Sequence, residues 1–494
     1  MRHHAYLKQR YRHILGDIGA IWVIIGLLIL SPLLALPFYW SDRPLAPAFL
    51  WPGLALILLG AALRLQLSRD DEFSLTVPEG AVIVVLTWIA AILVGATPFM
   101  LSLGLTFTQA VFEATSGWTT TGLSVIDVEA VSPILLLYRS IIQLAGGAGF
   151  AIIMLAALTG PAGMGLSSAE GREEQLEPNV RHSAALVLRL YFAYVVFGIL
   201  ALRIAGMNWF DAINHAFAAL STGGFSTRAA SIGYWDSAAV EIVTIVLMLL
   251  GTINFLVAYA VVRGRLAALW RTSEVQFLVF LLAVSIPTLL FGVTLSLYPT
   301  LGKALRVAVF EVVSAISTCG FATVSYVPWS AIGWLFLIGL MMVGGGSGST
   351  AGGIKQVRIV VLMKGLLAEI RSPLMPRTAV HEPSIWQAGQ QRFLQDRHIR
   401  GVALFVFLYA LVFAFGSGVI VASGYSLREG MFEFASSLST IGLSVGVTAP
   451  DAPLSVLWVE TLGMFLGRLE FFAVITGIAK FLNDGRVLLF ERTK

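Results

Sequence analysis

Apolar stretches of about 20 residues recur along the whole chain, each long enough to cross the roughly 30 Å hydrocarbon core of a bilayer as a helix. No other feature narrows the possible folds as much, because in hydrocarbon every peptide group must find its partner inside the protein. Only 12% of the 494 residues are charged and 57% are hydrophobic, against about 25% charged in soluble domains. The expectation is an all-α polytopic membrane protein with no sizeable soluble domain between its spans and the lipid bilayer as its main partner.

The formal net charge of +4 does not point to nucleic acid, because the basic residues sit in short segments between apolar runs. The N-terminal MRHHAYLKQRYRH, RGRLAALWR at 263 to 271, the stretch from Lys355 to Arg400 and the tail GRVLLFERTK all fall on one side of the membrane, which the positive-inside rule makes cytosolic. The protein is therefore expected as a multi-pass protein of the cell membrane, the inner one in a Gram-negative cell, with its N-terminus in the cytosol. The apolar run after the basic tail is too long for a signal-peptide core and lacks a cleavage site. Cys319 is the single cysteine, so disulfide frameworks and all-cysteine metal sites are excluded, and the histidines lack metal-ligand spacing.

Two apolar segments, about 18 to 40 and 45 to 67, read as a helical hairpin joined by SDRPLAP. Beyond the polar stretch RLQLSRDDEFSLTVPEG, a pattern then repeats: a long apolar segment, a shorter amphipathic one, a Thr/Ser-Gly turn and another long apolar segment. The turns are TTTGLS at 119 to 124, STGGFS at 221 to 226, STCGFA at 317 to 322 and STIGLS at 439 to 444. They share Thr-x-Gly followed by Leu or Phe. Their glycines, Gly122, Gly224, Gly320 and Gly442, recur roughly 100 to 120 residues apart, room each time for two spanning helices and a half helix. Nine residues ahead of each glycine stand Glu113, His215, Glu311 and Glu433.

The chain thus divides into a tail and hairpin (1–75), a first pore repeat (76–165), a second with a preceding cytosolic linker (166–265), a third (266–365), and a linker with the fourth (366–494). The two longest polar linkers, about 160 to 185 and 364 to 400, are expected to dock a soluble partner.

Non-helical backbone at membrane depth is tolerated where it is buried in protein or lines a water-filled path. A dehydrated cation needs neutral, closely spaced, replaceable oxygen ligands, and rings of backbone carbonyls supply them in potassium channels. A single Thr-Gly pair also suits an ordinary helix C-cap, but four in register point to one filter. The expected filter residues are Thr120, Thr121 and Gly122; Thr222, Gly223 and Gly224; Thr318, Cys319 and Gly320; and Thr440, Ile441 and Gly442. Glycine permits the positive φ that turns successive carbonyls toward an axis. The half helices ahead of the turns aim their negative C-terminal ends at the centre, favouring a cation. Glu113, His215, Glu311 and Glu433 read either as a cation-attracting ring or as hydrogen-bonding braces behind the filter, the second being the simpler.

These turns, together with the leading hairpin, resemble the Trk/Ktr/HKT potassium-transporter superfamily, in particular its TrkH type, over the whole chain. The KtrB type usually lacks the hairpin. The resemblance implies two leading helices plus four helix–pore-loop–helix repeats around one pore per subunit. It implies potassium as the transported ion, because Gly122 stands where sodium-permeable members carry serine. A homodimer and a cytosolic nucleotide-binding regulatory subunit of the TrkA type are implied as partners, with no organic cofactor on this chain.

The second long helix of the third repeat is interrupted by GGGSGSTAGGIK, too rich in glycine to stay helical. By resemblance, Gly344, Gly345, Gly346, Ser347, Gly348, Ser349, Thr350, Ala351, Gly352, Gly353 and Lys355 belong to an intramembrane loop that obstructs the pore until regulation moves it. The run formally matches G-x-G-x-x-A, but no βαβ unit surrounds it and no Ser or Thr follows Lys355, so a nucleotide loop is set aside. Arg468 lies roughly 20 Å into the last apolar run, where a charge is functional by default. The resemblance suggests that it meets this loop. With Lys355 it would form an electrostatic barrier below the filter, although simple pairing of Arg468 with a buried carboxylate is also open.

Two rival functions are a symporter coupling potassium to sodium or protons and a membrane enzyme. Alternating access favours inverted repeats, whereas these run parallel, and no nucleophile–base or metal-ligand arrangement supports catalysis.

Overall fold

The computed structural model describes residues 2–67, 76–149, 180–374, 376, 382–387 and 390–490. The polar stretch 68–75, most of the linker 160 to 185 and parts of the linker 364 to 400 lie outside the described residues.

The leading hairpin pairs Arg2–Leu30 with Ala46–Leu67 across two short 3-10 turns. Its helices touch at glycines: a Cβ on Gly19 would stand 2.6 Å from the Gly60 carbonyl oxygen, and one on Gly26 equally close to that of Gly53. Because lipid is as apolar as leucine, such close backbone approach replaces the hydrophobic effect as the source of helix association. Arg10 ties the first helix to the first repeat through Glu79, which also closes the capping box on Thr76 at the start of the next span.

Each repeat has an outer helix, a half helix, a turn and an inner helix. The outer helices are Val77–Gly95, Val180–Ile204, Ser273–Leu289 and Asp396–Ala422. The half helices are Phe107–Trp118, Trp209–Leu220, Leu301–Ser317 and Leu427–Leu438. All four half helices start on a residue whose side chain accepts the backbone N–H three residues on: Thr106, Asn208, Thr300 and Ser426. This satisfies a donor that would otherwise be orphaned at the helix start.

The inner helices are Pro133–Gly147, Ala238–Thr252, Ala331–Val343 and Leu454–Leu469. The expected break in the third repeat is present between Val343 and Gln356. Two more breaks were not expected from composition. The second inner helix turns by 110° into Phe255–Val262, and the fourth by 98° into Phe471–Phe490. At the first, Ile253 is extended and the Asn254 side chain caps the new helix at Leu256 N. At the second, Glu470 adopts φ 64° and pairs with Arg358 at 2.6 Å.

Among the described residues, six helices are long and apolar enough to span a bilayer, the two bent pairs add two more, and Pro133–Gly147 and Ala331–Val343 are shorter apolar helices. The fold is helical and multi-pass. Among the described residues, its departure from all-α is a small antiparallel hairpin of β1 (Ser384–Gln387) and β2 (Gln390–Phe393) in the last linker.

Candidate ion pathway

Each half helix ends in the same way. The N–H of the turn residue before the motif glycine bonds five residues back, as in Thr121 N to Ser116 O at 2.9 Å, and that of the preceding threonine bonds three back. This is a Schellman end with threonine in the left-handed position where glycine is usual: φ is 57° at Thr120, 54° at Thr222, 55° at Thr318 and 53° at Thr440. The motif glycines are left-handed too, with φ of 99° at Gly122, 70° at Gly224, 82° at Gly320 and 101° at Gly442. The threonines are therefore helix caps and the glycines a second reversal beyond them. Left-handed residues on both sides of Thr121, Gly223, Cys319 and Ile441 let successive peptide groups face one way.

The four turns close into a ring. A Cβ on Gly122 would overlap the carbonyl oxygen of Gly223, one on Gly224 that of Cys319, one on Gly320 that of Ile441, and one on Gly442 that of Thr121. The order is 1-2-3-4 and back to 1, and at each junction the glycine leaves no room for a side chain. Leu123, Phe225, Phe321 and Leu443, which follow the glycines, are buried and anchor each turn on the protein side. The Thr120 and Thr440 hydroxyls are buried without a protein partner, whereas Thr222 donates to Ser221 O and Thr318 accepts from Gly352 N. A buried hydroxyl without a partner is costly, so these two oxygens have acceptor capacity that no protein donor uses.

Behind the ring, Glu113 accepts from Arg139 Nε at 2.8 Å, Ser124 Oγ and Val125 N at 3.1 Å. Glu311 accepts from Thr323 N at 2.8 Å and from Tyr326 OH. Glu433 accepts from Ser444 Oγ at 2.6 Å and from Val445 N and Thr448 N at 3.0 Å. His215 places Nδ1 2.8 Å from Asp211 O, which can only accept, and Nε2 2.9 Å from Ser226 Oγ; Nδ1 therefore carries the proton. All four are fully buried, and the geometry matches bracing and not an exposed ring. Ser116 and Ser436 were passed over in the sequence, yet their hydroxyls accept from Gly122 N and Gly442 N at 3.0 Å. Their signal was a shared position six residues ahead of the glycine.

On one side of the ring lies the stretch Gly344–Lys355. Gly352 donates to Thr318 Oγ1 at 2.7 Å, and a Cβ on it would strike Thr440 Oγ1 and Ser439 O. Thr350 Oγ1 lies 3.0 Å from Leu220 O and 2.9 Å from Gly251 O. Gly346 N bonds Thr252 O at 3.1 Å, and Ser347 N bonds Glu274 Oε1 at 2.7 Å. Gln356 Nε2 holds Gly344 O at 3.0 Å, and Lys355 Nζ holds Ala351 O at 2.5 Å. Arg468 donates to Thr350 O at 2.7 Å and to Gly146 O, strapping the stretch to the end of the first inner helix. Away from the ring a cavity of 590 Å³ opens, lined by Ser349, Lys355, Arg358, Arg468 and Glu470 among others.

A helical, multi-pass membrane protein whose four internal repeats bring four loops to one axis is built as a membrane transport protein. The TrkH family model, described as a cation transport protein, matches residues 46–488. The Trk system potassium uptake protein TrkH of Halomonas elongata is 32% identical over 485 residues, covering 94% of this chain and 97% of its own. That of Escherichia coli is 33% identical over 425 residues, covering 83% and 86%. The crystal structure of the potassium transporter TrkH from Vibrio parahaemolyticus superposes with a TM-score of 0.83 at 27% identity, covering 95% of this chain and 98% of that one. This chain belongs to the TrkH family of cation transport proteins.

Proposed function

We propose that this chain takes up potassium through a filter of backbone carbonyls from its four Thr-x-Gly turns, obstructed by the Gly344–Lys355 loop. The observation that carries the reading is the closed ring in which each motif glycine faces the next turn's carbonyl. The unpartnered hydroxyls of Thr120 and Thr440 and the half-helix C-termini add to a site suited to a cation. Potassium is the ion in the names of the relatives.

Arg468 and Lys355 act as a positive barrier and a latch. Arg468, held against Thr350 O, keeps the loop against Thr318 and Thr440, Lys355 on Ala351 O fixes the loop's own shape, and displacement of the loop opens the path. The cytosolic linkers receive a nucleotide-binding regulatory subunit of the TrkA type, the chain works as a homodimer, and its N-terminus is cytosolic. No residue is assigned a catalytic role.

The test is rubidium uptake into proteoliposomes of the purified chain, driven by an internal potassium gradient with external sodium as competitor. Uptake without sodium or a proton gradient, and little sodium entry, supports a selective passive pore. Dependence on a second ion overturns passive flux in favour of a coupled symporter.

A further inference from the structure

We propose that Gln143, on the first inner helix, is a positioning residue for the second quarter of the filter: it sets the orientation of the Gly223 peptide and, through it, cation discrimination. The inference rests on the four-turn filter reading above.

Gln143 is fully buried. Its Nε2 donates to Gly223 O, and its Oε1 accepts from Phe225 N at 3.1 Å. A side-chain amide has a donor and an acceptor at fixed separation, and here the two grip the backbone on either side of the motif glycine, Gly224. The same helix reaches the second repeat twice more: Arg139 donates to Ser226 O at 3.3 Å and Ser140 to Asn214 Oδ1 at 2.7 Å.

The other three turns carry Thr121, Cys319 and Ile441 where this one carries Gly223. A Cβ on Gly223 would stand 2.5 Å from Gln143 Cδ and 2.6 Å from its Oε1. The Gln143 amide therefore occupies the space that a filter side chain would need. At the matching place of the other inner helices, counted from each helix start, stand Met248, Met341 and Met464, none with an amide. The second turn also has two adjacent glycines, the backbone with the most freedom to flip. A carbonyl held by a buried donor keeps one orientation and shares its electron density with that donor, so one quarter of the ring meets the ion with a restrained oxygen.

The measurement is the potassium/sodium and potassium/rubidium permeability ratio in proteoliposomes for the wild type, Gln143→Leu, Gln143→Glu, and the double variant Gln143→Ala with Gly223→Thr. The loss of one hydrogen bond should lower the potassium/sodium ratio at least about threefold in Gln143→Leu. In Gln143→Glu a near-isosteric carboxylate keeps the acceptor and loses the donor, so the ratio should fall there too, and this variant carries the test if Gln143→Leu fails to fold. Gly223 lacks a positive φ and so accepts a side chain once the amide is gone; the double variant should recover at least about half of the loss. Total uptake that falls equally for every cation, with unchanged ratios, overturns the proposal, because a structural role alone gives that result. Gly122→Ser run alongside separates the two levels. If it lowers the ratio and the Gln143 variants do not, the inference on Gln143 fails alone; if it changes nothing, the filter reading fails.

Discussion

Gly122 has φ of 99°, and a Cβ there would overlap the Gly223 carbonyl oxygen, so a serine would strain its own backbone and displace a neighbour's oxygen. Gly122→Ser is expected to lower the potassium/sodium permeability ratio by about tenfold with the protein still folded, read from reversal potentials of reconstituted protein. Arg468 makes its contacts with carbonyls, Thr350 O and Gly146 O, and not by way of a helix-neighbour pair with Glu470, which belongs to Arg358. Removing it takes away the tie between the middle of the loop and the end of the first inner helix. Arg468→Ala should raise flux in the absence of any regulatory subunit by at least about tenfold, the equivalent of one weak charge-assisted hydrogen bond, and should flatten its voltage dependence. Unchanged flux and voltage dependence would remove Arg468 from the gate.

The half helix is the element on which the repeat turns. Ser426 closes a capping box with Glu429, and Ser426→Ala should cost about 1 kcal/mol of stability, seen as a lower melting temperature with unchanged ion selectivity. Had the permeability ratio moved instead, the helix start would be coupled to the ring. At this scale the sequence was readable where a feature recurred. The Thr-x-Gly turns and the residues at Glu113, His215, Glu311 and Glu433 stood out because they repeat, and GGGSGSTAGGIK because glycine lacks helix propensity. The caps Thr106, Asn208, Thr300 and Ser426 repeat as well but did not stand out, because they are spread over three residue types. The bends at Asn254 and Glu470 were hidden, because neither uses glycine or proline and the Glu470 bend is held by Arg358, a residue distant in sequence. Gln143 left one trace, a polar residue in an apolar helix, with nothing local to say which turn it serves.

Across the whole molecule, the repeats are joined by ties that differ from one junction to the next. Repeats one and two share the buried Arg139, Ser140 and Gln143 contacts. Repeats two and three share Asp236 with Lys303 and Arg306, and Glu241 with Arg306. Repeats three and four pack Trp334 against Phe432, rings tilted by 55° with centroids 5.3 Å apart. The hydrogen bond from Lys303 holds the Asp236 carboxyl below the usual carboxylate range. A depressed value means that this tie contributes above the unfolded pKa and is lost as pH falls through the folded one. The stability difference between wild type and Asp236→Asn should therefore be constant from neutral pH down to about 5 and fade below about 4. It should stay under about 1 kcal/mol because the pair is largely exposed, and thermal melts at several pH values check both statements.

The four quarters of the ring lie on a single polypeptide, each meeting the next through a different residue at the middle position: Thr121, Gly223, Cys319 and Ile441. In an assembly of four identical subunits, one codon change strikes every quarter at once, and heredity offers nothing between intact and fourfold altered. Here a point mutation has a dose of one in four. If the ring is the filter proposed above, the gene can vary one quarter while three stay as they were, so an intermediate selectivity is reachable by single steps, and each quarter is free to drift toward its own chemistry.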